Sequence, residues 1–101
     1  MNSAVLLAAN QLIGERCHAQ NMGFMRCKQT AAGAGDPRAC LARGRDVTGC
    51  VADTLAAVRK HAGGEFGAFR DCLEEHGGDF SACRAQQRAF RETWAAAGAS
   101  A

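Results

Sequence analysis

Six cysteines stand at positions 17, 27, 40, 50, 72 and 83, and their spacing constrains the fold more than any other feature of the chain. Nine residues separate Cys17 from Cys27, nine separate Cys40 from Cys50, and ten separate Cys72 from Cys83. Structural zinc sites space paired ligands by about two to four residues. Dithiol redox centres use Cys-X-X-Cys. Neither spacing matches, so the cysteines read as cross-links between secondary-structure elements.

The stretches between the glycines are rich in Ala, Leu, Arg, Gln and Glu, which favour helix, and no run alternates with period two. The chain therefore reads as all-α. Ser3 is the expected N-cap of a short first helix carrying Val5, Leu6, Ala9, Leu12 and Ile13, with Gly14 weakening or ending it. A second helix is expected from about Cys17 to Thr30, with Met22, Phe24 and Met25 on its apolar side. The clearest breaker is Gly33-Ala34-Gly35-Asp36-Pro37, with Asp36 as N-cap and Pro37 at the first helical position. A long helix then carries Leu41, Val47, Val51, Leu55 and Val58 to about His61, where Gly63-Gly64 stops it. A fourth covers about Glu65 to Glu75 with Phe66, Phe69 and Leu73 on one side, and Gly77-Gly78 stops that one. Asp79 caps the last helix, on which Phe80, Cys83, Phe90, Trp94 and Ala97 step at heptad-like intervals, and Gly98 to Ala101 is expected to fray.

Geometry then limits the pairing. Two cysteines ten positions apart on one helix are separated by about 15 Å, whereas a disulfide needs Cα atoms within about 7 Å. Cys17 cannot reach Cys27 on a helix, nor Cys40 reach Cys50. Ten helical steps turn about 1000°, which returns to within about 80° of the start, so both cysteines of a pair lie on one broad face. Two such helices joined by a Gly-Asp-Pro turn can lie antiparallel. Cys27 then meets Cys40 near the turn, Cys17 meets Cys50 at the open end, and equal spacing keeps both rungs in register.

A second, degenerate copy follows. Shifted by 45, Cys27 maps to Cys72, Phe24 to Phe69 and Cys17 to Ala62. Shifted by 43, Ala39-Cys40 maps to Ala82-Cys83, Val47 to Phe90 and Cys50 to Thr93. The inner rung Cys72 to Cys83 is kept, and the outer rung is missing from both sides at Ala62 and Thr93, which leaves no orphan thiol. The expected organisation is an N-terminal helix over 1–16, a first hairpin over 17–61, a second over 62–96 and a tail over 97–101.

Composition explains why staples are needed. Of 101 residues 48% are hydrophobic, but 22 of these are alanine, and the six aromatics include no tyrosine. A core this lean needs cross-links or a partner. Each bridge contributes about 3 kcal/mol in the chain-entropy account. With one bridge against two, the second hairpin is expected to be the weaker unit and to rely more on Phe66, Phe69, Phe90 and Trp94. The longest apolar run, Ala4 to Ala9, has no basic residue before it and makes a poor secretory h-region. It is also far short of the roughly 18 apolar residues of a membrane span. A chain without a secretory leader is therefore expected, although its cysteine content is that of an oxidising compartment.

Paired CX9C helices in a bridged hairpin resemble the coiled coil-helix-coiled coil-helix (CHCH) family of the mitochondrial intermembrane space. Further segments sharpen the likeness: Ser3-Ala-Val-Leu, Phe24-Met25-x-Cys27, Asp36-Pro37-Arg38-x-Cys40-Leu41, Cys50, and Cys83-Arg84-x-Gln86-Gln87-x-x-Phe90. Together they look like the quadruple-CX9C accessory subunits of respiratory complex I, of the alpha subcomplex subunit 8 type, from about Ser3 to Trp94. The resemblance implies a structural, non-catalytic subunit in the intermembrane space, peripheral to the inner membrane. It would brace the membrane arm and support assembly, and hold no flavin, iron–sulfur cluster or quinone. Its implied partners are neighbouring complex I subunits and, transiently, the thiol-oxidising import receptor. A free assembly factor or chaperone of the same architecture is the alternative. The family commonly adds a C-terminal extension and keeps a full second pair of rungs. This sequence departs in both respects, so contacts of that extension are not carried over.

Other classes fare worse. Cys72 and His76, four apart, could share a metal with Cys83 only if their sulfurs were not bridged. His61 reads as a cation at a helix C-terminus, near the dipole, and Glu74-Glu75 reads as a solvated face. No reactive Cys-Pro-Cys or adjacent-cysteine copper motif occurs. A net charge of +2 is too mild for a nucleic-acid surface. Arg38, Arg43 and Arg45, and the i, i+4, i+7 stripe Arg84, Arg88 and Arg91, suit acidic subunit surfaces or anionic lipid head groups. Val5, Leu6, Leu12 and Ile13 are the expected docking residues. No catalytic, cofactor or metal site is expected, and the six cysteines carry the fold.

Overall fold

The computed structural model describes residues 3–30 and 35–98. Within them the chain forms four α-helices and no strand: α1 (Ser3–Arg16), α2 (His18–Gln29), α3 (Leu41–Glu75) and α4 (Arg84–Ala96). Short 3₁₀ turns, Pro37–Cys40 and Phe80–Cys83, lead into α3 and α4. Residues 99–101 of the expected frayed tail, and Gly33 and Ala34 of the expected breaker, lie outside the described residues.

Two helix boundaries fall close to the expected positions but not on the glycines. α1 starts at Ser3 and runs through Gly14 to Arg16. A single helical glycine costs only about 1 kcal/mol. The break falls at Cys17 (φ −105°, ψ 15°). Even there the N–H donates to the Ile13 carbonyl at 2.8 Å and the carbonyl accepts from the Asn21 N–H at 2.9 Å. α3 is two helical stretches joined by a kink directly after His61, where the long helix was expected to end. The non-helical residue is Ala62 (φ −149°, ψ 34°), one before the glycines, and helix resumes through Gly63 and Gly64. Neither of them takes a positive φ.

The two hairpin joints repeat each other. Asp36 Oδ1 accepts from the Arg38 N–H at 3.0 Å, and Asp79 Oδ1 accepts from the Ser81 N–H at 3.0 Å. Each aspartate opens a 3₁₀ turn that ends four residues later at a cysteine, Cys40 or Cys83. The opposing sulfurs match as well: Cys27 Sγ lies 3.7 Å from the Ala39 carbonyl oxygen, and Cys72 Sγ lies 3.8 Å from that of Ala82. In the second joint Gly77 and Gly78 adopt φ of 62° and 85°, and the Gly78 N–H donates to the Leu73 carbonyl at 2.8 Å. This is the six-to-one bond that closes a helix on a left-handed residue.

The chain divides into two compact units, one over 11–54 and one over 1–10 with 55–101. In the second, α3 buries Leu55, Val58, Ala62, Phe66, Phe69 and Leu73 at helical spacing, α4 adds Phe90 and Trp94, and α1 adds Val5, Ala8 and Ala9. Phe66 meets Phe90 at 5.2 Å between centroids, and Phe69 meets Phe80 at 6.0 Å and Phe90 at 6.2 Å. These tilted contacts add to area burial, so the aromatics of the second hairpin pack within the chain. The 11–54 unit is built differently. Its fully buried described residues are Cys17, Cys40 and Thr54, and α2 buries none of its residues.

Candidate functional site

With no catalytic constellation expected, the functional features are the staples and the faces they hold out. The structure has three disulfides, Cys17–Cys50, Cys27–Cys40 and Cys72–Cys83, spanning 33, 13 and 11 residues. Their Cα atoms lie 5.8, 5.9 and 5.9 Å apart, inside the usual range for a disulfide. No cysteine is free. The sulfurs of Cys72 and Cys83 are bonded to each other, which takes both away from His76 as metal ligands. Among the described residues no three His, Cys, Asp or Glu side chains gather as a metal site.

Thr54 is a residue the sequence reading missed. It is 1% exposed, its Oγ1 donates to the Cys50 carbonyl at 2.8 Å, and the same oxygen lies 3.7 Å from Cys17 Sγ. It packs against the outer rung and satisfies its own hydroxyl on the preceding turn. Its only signal in the sequence is its place four residues after Cys50.

Among the described residues, Asp79 has its acidity shifted by its surroundings. The Ser81 hydroxyl at 2.6 Å holds its carboxyl below the ordinary value of 3.8, aided by the Ser81 N–H and by the charges of His76 and Arg84. This is capping chemistry at a helical turn.

The expected contact residues are partly displaced. Val5 is 8% exposed and packs in a core, so it does not offer a docking surface as expected. Leu6 is 40% exposed, while Leu12 and Ile13 are half-buried. Arg84, Arg88 and Arg91 are all exposed along α4, with Arg84 donating to Gln87 Oε1 at 2.7 Å. Arg38 and Arg43 sit 3.8 Å from Asp36 and Asp46. Those pairs are solvent-exposed and worth little. His18, Glu74 and Glu75 are exposed, and His61, directly before the kink of α3, makes a T-shaped contact with Trp94. Met25 and Leu41 are also exposed, at 46% and 50%. No described helix is long and apolar enough to cross a membrane.

No family model matches the chain. Curated relatives do. It is 38% identical over 90 residues to NADH dehydrogenase (ubiquinone) 1 alpha subcomplex subunit 8-A of Arabidopsis thaliana, covering 89% of this chain and 81% of the relative. It is 36% identical over 90 residues to subunit 8-B of the same plant, covering 89% and 82%. It is 37% identical over 83 residues to the NADH-ubiquinone oxidoreductase 20.8 kDa subunit of Neurospora crassa, covering 82% of this chain and 45% of that longer protein. With that identity along most of its length, and a helical fold stapled by three disulfides, the chain belongs to the NADH dehydrogenase (ubiquinone) 1 alpha subcomplex subunit 8 family.

Proposed function

We propose that this chain is a non-catalytic accessory subunit of mitochondrial complex I. It sits in the intermembrane space, peripheral to the inner membrane, where it braces the membrane arm and supports assembly. The observation that carries the reading is the 38% identity over 90 residues with a plant subunit of that enzyme. The chemistry of the chain agrees. All six cysteines are consumed in bridges, which persist in an oxidising compartment and not in a reducing one. Each half is a hairpin held by covalent rungs, so its outward faces are fixed before a partner arrives, which lowers the ordering cost of binding. The contacts are neighbouring complex I subunits, with anionic lipid head groups as further contacts of the arginine stripe on α4. The bridges are installed during import by a thiol-oxidising receptor, a transient partner.

The test is native electrophoresis of mitochondrial membranes in mild detergent, with mass spectrometry across the slices. Comigration in fixed ratio with NADH-oxidising activity is expected. Recovery mainly near the chain's own mass, or only with partial assemblies, would replace this reading with that of a free assembly factor.

A further inference from the structure

An open groove of about 630 Å³ runs between α2 and α3 in the 11–54 unit. Its α3 wall includes Leu41, Gly44, Arg45 and Thr48, at i, i+3, i+4 and i+7, and its α2 wall is Asn21 and Phe24. Gly44 gives the groove its depth, because a Cβ at that position would lie 3.5 Å from the Phe24 ring. Leu41 at its mouth is half exposed. Two cations border it: Lys28 Nζ stands 5.1 Å from the centroid of Phe24, and Arg45 lies in the wall. Arg38 and Arg43 have Asp36 and Asp46 beside them. Lys28 and Arg45 have no carboxylate within ion-pair distance among the described residues.

An apolar strip between helices, bordered by uncompensated cations, is complementary to one kind of surface: a ridge of apolar side chains flanked by carboxylates. A concave seat accepts such a ridge, whereas a layer of lipid head groups meets a flat or convex face better. We propose that this groove seats an acidic amphipathic helix of a neighbouring polypeptide. Phe24 and Leu41 meet its apolar ridge, and Lys28 and Arg45 meet its carboxylates. The proposal rests on the accessory-subunit reading and names the chemistry of one of its contacts.

A water-soluble carbodiimide joins a lysine amine to a carboxylate already in contact with it, and the chain has two lysines, Lys28 and Lys60. Treatment of the isolated complex should join Lys28 to an Asp or Glu of a different polypeptide. In parallel, Leu41→Asp and Arg45→Glu variants should be recovered in the complex at least about tenfold less than wild type, a loss typical of a central interface residue. Lys60→Glu should be recovered in full. Non-reducing peptide mapping that finds all three bridges certifies that each variant is folded. Wild-type chain in the complex with Lys28 unjoined, or joined to a second copy, overturns the groove proposal alone, as does full recovery of both groove variants. Binding of the purified chain to vesicles of cardiolipin and phosphatidylcholine, lost in the same two variants, overturns it in favour of a lipid surface. Absence of wild-type chain from the complex overturns the accessory-subunit reading, and the proposal with it.

Discussion

The imidazole of His61 meets the indole of Trp94 edge-on, with ring centroids 6.4 Å apart and planes at 78°. Their chain neighbours Ala62 and Thr93 are the positions at which the second hairpin lacks the outer rung that Cys17 and Cys50 form in the first. An aromatic contact therefore stands at the level where the first hairpin has a bridge. Ala62 is 2% exposed and carries the kink of α3. The register of the hairpin is held here by ring packing instead of sulfur.

Restoring the rung tests that register. The double variant Ala62→Cys/Thr93→Cys should form a fourth disulfide on oxidative refolding, seen by peptide mapping without reduction. A loop of that length should raise stability by about 3–4 kcal/mol in denaturant titration. Two free thiols after oxidation would show that positions 62 and 93 do not oppose each other.

Reduction should expose the different construction of the two units. The 11–54 unit buries Cys17, Cys40 and Thr54 but no large apolar side chain among its described residues, so its bridges replace a core. The other unit keeps Phe66, Phe69, Leu73, Phe90 and Trp94 buried whatever the state of its sulfurs. Hydrogen exchange on the reduced chain should show residues 18–29 losing protection before residues 66–73 and 84–94. The opposite order would mean that α2 is held by something other than its staples.

Truncation of core and surface residues should separate sharply. Phe69 is 2% exposed and touches both Phe80 and Phe90, so Phe69→Ala should cost about 3–5 kcal/mol. Met25 is 46% exposed, and Met25→Ala should stay within about 0.5 kcal/mol. Denaturant midpoints of the oxidised variants read both values.

Glycine substitutions should differ in sign. Gly77 and Gly78 lie at φ 62° and 85°, a region that costs other residues about 1–2 kcal/mol. Gly78→Ala should be the worse of the two, because its Cβ would also stand 3.2 Å from Leu7 Cδ2, while nothing lies near that of Gly77. Gly64→Ala should instead stabilise by up to about 1 kcal/mol, since Gly64 is helical and its Cβ would point into open space. Thermal melts of the three variants decide the order.

The cap at Asp79 should make stability pH-dependent in one direction. Its carboxyl is held below 3.8 in the folded chain, first by the Ser81 hydroxyl. A depressed folded value means that the unfolded state binds the proton more readily. The contribution is therefore fully present above the unfolded value and is lost as pH falls through the folded one. Wild type should melt higher than Asp79→Ala at neutral pH, with the gap closing in acid below about pH 4. A gap unchanged down to strong acid would show that the carboxylate charge is not what the cap uses.

How much of this was legible in the residues varies by feature. The cysteine spacings, together with helical geometry, were enough to exclude pairing along a helix and to leave the nested bridges that the structure contains. The all-α class and the caps at Asp36 and Asp79 were legible for a related reason. They depend on propensity and on side chains that bond within two residues of themselves. Groups interacting along a helix or across a two-residue turn leave their signature in local order.

Other features belonged to the tertiary structure. Periodicity marks Met22, Phe24 and Met25 as one apolar side of α2 and Phe66, Phe69 and Leu73 as one of α3. Yet the second set is buried and the first is not. Val5 was expected to face a partner and instead packs in a core, and the break expected after about His61 falls on Ala62 and not on the two glycines that follow. Cysteine spacing and capping chemistry thus determined which covalent framework the chain could build. Which apolar faces were buried was decided only by which surfaces met in the folded chain. Local pattern records which side chains share a face, but burial requires a second face to cover it.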